Sequence, residues 1–199
     1  MLIKFMKGLL GGDAPPTPAT VAPAAPPLGD DAFNKSDPRF QKIAREELAK
    51  CQFIRPEAVE AVYLYLLDQN KLFETKTPLS VEEKRTLGIN TRLKITQEHT
   101  ALLTTQGLQS HYPAEIIPNL WRAATFRYRR VLELEKLRRL AMCKTVTLTT
   151  IGESDSCEWC NKTNGKKFDI NQDLDRLIEV NCKCQPYWKG VLSPDLTGI

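Results

Sequence analysis

Apolar residues recur at spacings of three and four through much of the chain after residue 36, which is the pattern of amphipathic helices. The first helix is predicted to begin at Ser36-Asp37-Pro38, because a polar cap there precedes a proline at the first helical position. Further helices are predicted over Pro56 to about Asn70, over residues 80–88 behind a Ser80–Glu83 capping box, and over Gln97 to about Thr105. We therefore expect residues 36–117 to form a helical domain around one apolar core.

The longest helical pattern runs from Pro118 to about Cys143 and defines a segment over residues 118–144. Its predicted buried stripe consists of Leu120, Ala124, Val131, Leu134 and either Leu137 or Leu140. The opposite face is basic and carries Arg122, Arg127, Arg129, Arg130, Lys136, Arg138 and Arg139 against Glu133 and Glu135. Three aromatic residues, Trp121, Phe126 and Tyr128, are interleaved with these cations.

Two interpretations of this basic helix are open. Arginine beside aromatic side chains suits contacts with phosphates and bases, so DNA or RNA is a candidate partner of the seven cations. The charges can instead belong to a solvated helix face with local Glu–Arg pairs, and the aromatic rings to the core. The net charge of the chain is only +4 and does not separate the two interpretations.

The pattern changes after residue 144. Residues Thr145–Ile151 alternate and are rich in β-branched side chains, which predicts a strand. Asn164-Gly165 is a strong signal for a hairpin turn, and it is followed by a predicted second strand near Lys166–Asp169 and a short helix over Asp173–Val180. The predicted fold class is therefore mainly α, with a small α+β module and tail over residues 145–199.

Four of the six cysteines fall in this module as two close pairs, Cys157/Cys160 and Cys182/Cys184. Zinc takes four soft ligands in a tetrahedron, with Zn–S distances near ~2.3 Å. A C-x-x-C on a tight turn and a C-x-C in extended chain can each direct two thiolates to one side, and about twenty residues between the pairs is close to the usual spacing of zinc sites. We predict that these four cysteines hold one structural Zn²⁺ in a clamped hairpin of the treble-clef or zinc-ribbon kind.

Three other residues are assigned supporting roles in this site. Gly165 permits the turn because glycine tolerates a positive φ, and Trp159 and Phe168 are expected to cover the metal. Two alternatives to a zinc site remain: the cysteines can form disulfides, or they can be small buried hydrophobic residues without a ligand.

No catalytic residues are predicted. Four thiolate ligands would leave the metal without an open position for water or substrate. His99 and His111 are the only histidines, and we expect both at the surface or at helix ends, because no nucleophile elbow or glycine-rich phosphate loop accompanies them. Cys51 and Cys143 lie on apolar helix faces and are expected to pack in the core.

The first 35 residues are expected to lie outside the folded body. Residues 1–10 place apolar side chains around Lys4 and Lys7, which interrupt the apolar run that a signal peptide needs, so we expect a protein that is not secreted. This segment is interpreted either as a frayed terminus or as a short amphipathic helix that docks on a partner or a membrane surface. Residues 11–35 are rich in proline and alanine and predict a disordered linker.

The order of features in the C-terminal third resembles the C-terminal region of phage head-morphogenesis proteins, the minor head proteins of the phage Mu type. Members of that family carry an arginine-rich helix, a strand, a C-x-x-C, a Gly-Lys-x-Phe-like turn and a closing C-x-C. The corresponding residues here are Arg129–Leu140, Val146–Ile151, Cys157/Cys160, Gly165-Lys166-Lys167-Phe168 and Cys182-Lys183-Cys184.

This resemblance implies a non-enzymatic protein that acts in the assembly of a phage or prophage head. Its expected partners are portal, scaffold or other capsid assembly proteins, or DNA, and its expected location is the cytoplasm of a bacterial host or the virion. A zinc-stabilised protein that binds nucleic acid through the basic helix is the alternative function.

Overall fold

The computed structural model describes residues 34–68, 77–140, 142–150 and 156–195. The segment 1–10 and nearly all of the linker 11–35 lie outside the described residues, as does the end of the helix predicted to reach Asn70. Within the described residues the chain is mainly helical, and it has a small antiparallel sheet near its C-terminus.

The helices and strands have the following bounds. The described helices are α1 (Pro38–Lys50), α2 (Val59–Leu67), α3 (Val81–Thr86), α4 (Gln97–Leu102), α5 (Thr105–Leu108), α6 (Ile116–Arg139), α7 (Glu158–Thr163) and α8 (Leu174–Asn181). The strands are β1 (Thr145–Thr149), β2 (Lys167–Asp169) and β3 (Val191–Pro194). Short 3-10 turns at Pro56–Ala58 and Pro113–Glu115 lead into α2 and α6.

Two helices begin where the sequence predicts, because side chains cap their N-termini. The Asp37 carboxylate accepts a hydrogen bond from the backbone N–H of Arg39, and Pro38 occupies the first turn, so α1 begins where the cap and the proline predict. Before α3, the Ser80 hydroxyl accepts from the N–H of Glu83 while the Glu83 carboxylate accepts from the N–H of Ser80. This reciprocal pair is the predicted capping box.

The first core lies between α1, α2 and the N-terminal half of α6. Its largest fully buried side chains include Phe40, Leu66, Ile117 and Tyr128. The rings of Phe40 and Tyr128 meet edge to face with centroids 5.5 Å apart. The Tyr128 hydroxyl donates to the Asp37 carboxylate over 2.8 Å, so the buried tyrosine also finds a polar partner at the start of α1.

The second core joins the C-terminal half of α6 to the sheet and α8. In the sheet β1 is central and pairs antiparallel with β2 on one side and β3 on the other. The buried residues of this core are Leu134, Leu137, Cys143, Val146, Leu148, Ile170, Leu174, Ile178 and Leu192. Helix α6 therefore supplies one half to each core and ties the C-terminal module to the helical body.

Several details of the predicted elements differ from the structure. Helix α6 begins two residues before Pro118 and ends at Arg139. Leu137 is buried and Leu140 is 49% exposed, so the buried stripe of this helix ends at Leu137. His99 lies in the last turn of α4, so of the two predicted locations, the surface or a helix end, it takes the helix end. Its side chain is buried, and Nε2 lies 3.1 Å from the carbonyl oxygen of Pro113. Cys143 is buried in the second core, and Cys51 packs at the edge of the first.

The Asn-Gly turn joins a helix to a strand and does not close a tight hairpin. Asn164 has φ −55° and ψ 129°, Gly165 has φ +74°, and the N–H of Lys166 donates to the carbonyl of Thr163 over 3.0 Å. These values are those of a type II turn, in which only the second central residue needs a positive φ. Gly165 thus permits the turn as predicted, but the chain between β1 and β2 also contains α7 and its cysteine pair.

An ion-pair network, which we call the inter-helix network, connects α1, α6 and α8. Its members are Glu47 and Lys50 of α1, Arg127 and Arg130 of α6, and Asp175 and Glu179 of α8. Arg127 lies 2.9 Å from Glu47 and 3.0 Å from Asp175, whereas Arg130 lies 2.5 Å from Asp175 and 2.7 Å from Glu179.

Burial makes this network energetically important. The side chain of Arg130 is 5% exposed and that of Asp175 is 18% exposed. Burial alone would raise the pKa of Glu179, but hydrogen bonds and charge from Lys50, Arg130 and Arg127 outweigh it and lower that pKa. A charge left without its partner in such a site is strongly destabilising, so α8 is held in place by complementary charge as well as by its apolar face.

No helix in the described part of the chain is both long and apolar enough to cross a membrane. The longest, α6, carries the basic residues noted above along its length.

We predict that Asp175→Asn lowers the free energy of unfolding by about 2 to 4 kcal/mol, because it removes a charge facing the buried Arg130 guanidinium. Urea unfolding of the purified protein measures this value. The matched control is Glu60→Gln, which breaks a 3.5 Å pair with Arg45 between side chains that are 58% and 64% exposed, and it should cost below about 0.5 kcal/mol. Equal losses in the two variants would show that the network does not hold α8.

Candidate metal centre

Two helix termini bring the four cysteines together. Cys157 caps the N-terminus of α7, and Cys160 lies within that helix one turn later. Cys182 caps the C-terminus of α8, and Cys184 follows two residues along in non-helical chain. The first turn of α7 therefore replaces the tight turn expected for the C-x-x-C pair, and the C-x-C pair begins at Cys182 in extended backbone after α8.

The four sulfur atoms form one compact cluster. All four Sγ atoms lie within 4.8 Å of one another, and Cys160 Sγ lies 3.6 Å from both Cys182 Sγ and Cys184 Sγ. A zinc ion with Zn–S bonds of about 2.3 Å places its sulfurs roughly 3.8 Å apart. All four residues are free cysteines, so the disulfide alternative is not the state of this structure.

Backbone N–H groups point at three of the sulfurs. The N–H of Lys183 donates to Cys157 Sγ over 3.2 Å, that of Cys157 to Cys184 Sγ over 3.3 Å, and that of Cys184 to Cys182 Sγ over 3.4 Å. Hydrogen bonds to sulfur stabilise the thiolate, which is the form that binds metals. The backbone around each pair is thus arranged to support negative sulfur.

The surroundings shift the pKa values of Cys157, Cys160 and Cys182 in different directions. Burial would raise the pKa of Cys157, but the N–H groups of Lys183 and Cys160 and the neighbouring thiols outweigh it and lower this pKa to about 6. Burial first, and then contact with Cys184 and Cys182, raises the pKa of Cys160 strongly. For Cys182, burial and the Cys184 thiol raise the pKa to about 12 despite the N–H of Cys184.

These pKa shifts indicate that the four cysteines need a cation among them to ionise together. One thiolate forms readily, but further thiolates within 4.8 Å repel one another, so four can ionise together only around a cation. Four sulfur donors without oxygen match the preference of Zn²⁺, and they fill a tetrahedron completely. The residues present therefore fit a structural zinc ion.

The two predicted covering residues lie on different elements of the C-terminal module. Trp159 stands on α7 between the first two cysteines, and Phe168 on β2 pairs with Val146 of β1. Both rings pack against the second core. Their shielding of a metal remains a prediction.

The structure separates the seven cations of the basic helix into groups. Arg127 and Arg130 belong to the inter-helix network, so their guanidinium groups are already engaged by carboxylates. Arg122 donates to Glu115 and Asn119, and Arg138 donates to the carbonyls of Ile170 and Gln172. The remaining cations, Arg129, Lys136 and Arg139, are exposed and make no side-chain hydrogen bond or ion pair with described residues.

Sequence reasoning missed the residues that pair the C-terminal module with α6. Asp175 and Glu179 stand four residues apart on α8. This spacing places both carboxylates on one face of the helix, which could have been predicted from the sequence. Their partner Arg130 is 45 and 49 residues away, which no local pattern discloses. Gly190 was also missed: a Cβ there would lie 2.3 Å from the Trp188 ring and 2.9 Å from the carbonyl of Thr149.

Comparison of the chain with protein-family models, with characterised proteins and with solved structures finds no significant match. The resemblance to phage head-morphogenesis proteins therefore stays a prediction that rests on the residues quoted for it.

We predict that a strong chelator lowers the melting temperature of the wild-type protein, because the metal supplies folding free energy to the second core. Cys160→Ser should melt at the lower temperature with or without chelator. Cys51→Ser is the matched control, since Cys51 lies outside the cluster, and it should keep the full response to chelator. Thermal unfolding followed by circular dichroism gives all three values, and an unchanged wild-type melting curve would contradict a structural metal.

Proposed function

We propose that the chain is a non-enzymatic structural protein whose C-terminal module is clamped by one zinc ion at Cys157, Cys160, Cys182 and Cys184. The observation that carries this proposal is the convergence of four free sulfurs within 4.8 Å. Four thiolates complete the coordination of zinc, so the ion would have a folding role and would not activate water. A clamp of the treble-clef or zinc-ribbon kind is the finer class we propose for this module.

We further propose that the protein acts in the assembly of a phage or prophage head, in the cytoplasm of a bacterial host or in the particle. The support is the ordered resemblance described above, together with the contact between the basic helix and the cysteine module. Helix α6 enters the second core through Leu134 and Leu137, and its residues Arg127 and Arg130 form ion pairs with α8. The features that carry the resemblance thus form one folded unit, which suits a protein that docks on other assembly proteins.

Nucleic-acid binding is the second candidate function. The observation that favours it is the exposure of Arg129, Lys136 and Arg139, which have no side-chain partner among the described residues. Exposed cations on one helix attract the phosphate backbone of DNA or RNA. Arg127 and Arg130 are left out of this proposal because carboxylates already engage them.

The assembly proposal predicts that the protein is present in purified procapsids or mature particles from the strain that encodes it. Quantitative mass spectrometry against the major capsid protein measures its copy number. A Cys160→Ser variant should be lost from particles because its module is unfolded, while Cys51→Ser should be incorporated normally. Absence of the wild-type chain from both procapsids and particles would end the assembly proposal without touching the zinc site.

A further inference from the structure

An aromatic pair lies at the surface where α6 meets the loop after the last cysteine. The rings of Phe126 and Tyr187 are stacked, with centroids 5.3 Å apart and planes inclined by 18°. Phe126 is 47% exposed, which is unusual for a large aromatic side chain in the middle of a long helix. Part of the Phe126 ring is therefore open to solvent, Tyr187 is half-buried beside it, and neither ring belongs to either core.

Cations flank this pair along the helix. Arg122 and Arg129 lie four residues before and three residues after Phe126, spacings that place all three on one face of α6. The carboxylate of Glu115 is the main cause of the raised pKa of Arg122, and Arg122 also donates to Asn119 over 2.8 Å. Arg129 is exposed and has no side-chain partner among the described residues.

The same face continues toward the C-terminus of α6. Lys136 lies seven residues after Arg129 and is exposed. Two carboxylates, Glu133 and Glu135, lie between them in the sequence, and Glu135 is paired with Arg39. Fourteen residues separate Arg122 from Lys136, which at about 1.5 Å per residue is a distance of about 21 Å. We call the set Phe126, Arg129, Lys136 and Tyr187 the stacking surface; Arg122 is left out because Glu115 already engages it.

We propose that the stacking surface binds single-stranded nucleic acid, with a base stacked on the Phe126–Tyr187 pair and phosphates held by Arg129 and Lys136. This inference rests on the second proposed function and names its ligand and its site. Aromatic faces beside cations are how proteins hold single strands without reading their sequence, because every base has a π face. An acidic peptide would contact the cations but would not need the aromatic rings. The bases of an intact duplex are already stacked on one another, so they are not free to stack on these rings.

The position of Tyr187 in the stacking surface is linked to the cysteine cluster. Tyr187 lies three residues after Cys184, so the position of its ring depends on the same loop that supplies two of the sulfurs. Phe126, Arg129 and Lys136 stand on α6, which the first core also supports. Removing the metal should therefore weaken base stacking while leaving part of the phosphate contact in place.

The test is fluorescence anisotropy of a labelled oligothymidylate of about twelve nucleotides, titrated with full-length, metal-loaded protein between about 50 and about 300 mM salt. Phe126→Leu and Tyr187→Leu should each raise Kd by about 5- to 100-fold and leave the slope of log K against log salt unchanged, because they remove stacking and keep the charges. Arg129→Gln should instead flatten that slope by about 0.7, the value for one lost phosphate contact on a single strand.

Matched controls come from elsewhere on the surface. Tyr112→Leu removes an aromatic residue that is 61% exposed and meets His111, and Arg85→Gln removes an exposed cation on α3. Both should bind as the wild type does. Metal content and melting temperature are measured for every variant, so a loss of the fold is distinguished from a loss of the surface.

Several results would overturn the proposal. These are no binding at the lowest salt, equal losses in the Tyr112 and Phe126 variants, tighter binding of a duplex of the same length, or displacement of the oligonucleotide by polyglutamate at equal charge. If the wild type keeps its metal and fails to bind, the stacking surface and the second candidate function fall together, and the zinc site stands. Binding that depends on Arg129 and Lys136 but is unchanged in Phe126→Leu would remove the stacking and keep the general affinity for nucleic acid.

Discussion

The C-terminal half of this protein depends on one electrostatic constraint: four sulfurs within 4.8 Å cannot all be thiolates unless a cation lies between them. The backbone N–H groups of Cys157, Lys183 and Cys184 support negative sulfur, but they cannot offset the mutual repulsion of four charges. Metal binding of this kind contributes on the order of 10 kcal/mol, which is comparable to the whole stability of a typical domain. The first turn of α7 and the end of α8 converge on this point.

The inter-helix network connects the cysteine cluster, through α8, to the helical body. Helix α8 ends at Cys182 and carries Asp175 and Glu179, whose carboxylates meet the buried guanidinium groups of α6. A change at the cysteine cluster that displaces α8 would therefore leave the buried Arg130 without its carboxylate partners, whereas Arg127 would keep Glu46 and Glu47 of α1. Because such a loss is costly, the metal centre and the helical body should unfold together, and α6 is the element that both share.

Local chemistry made much of the fold predictable. The Asp37-Pro38 start of α1, the Ser80–Glu83 box and the alternation after Thr145 all appear where the sequence indicates, because each depends on residues a few positions apart. The cluster of four cysteines was equally readable, since close pairs of soft ligands restrict the arrangement to few geometries. The Asn164-Gly165 signal was half right: Gly165 takes the positive φ, but tertiary contacts place the turn after a helix and not within a tight hairpin.

What the sequence did not disclose depends on distant partners. The burial of Arg130 requires Asp175 and Glu179, and the burial of His99 accompanies its contact with the Pro113 carbonyl, so neither follows from helical periodicity alone. The stacking of Phe126 on Tyr187 joins two segments that only the folded cysteine loop brings together. Periodicity separated cations from apolar residues on α6, but the sorting of those cations into paired and unpaired groups required the structure.

The measurement that tests the account most directly is elemental analysis combined with X-ray absorption at the metal edge, on protein purified under reducing conditions without added metal. The account predicts one zinc per chain with about four sulfur neighbours near 2.3 Å and no light-atom ligand. Protein that folds to the same melting temperature without metal, or a metal bound through nitrogen or oxygen, would contradict the central claim.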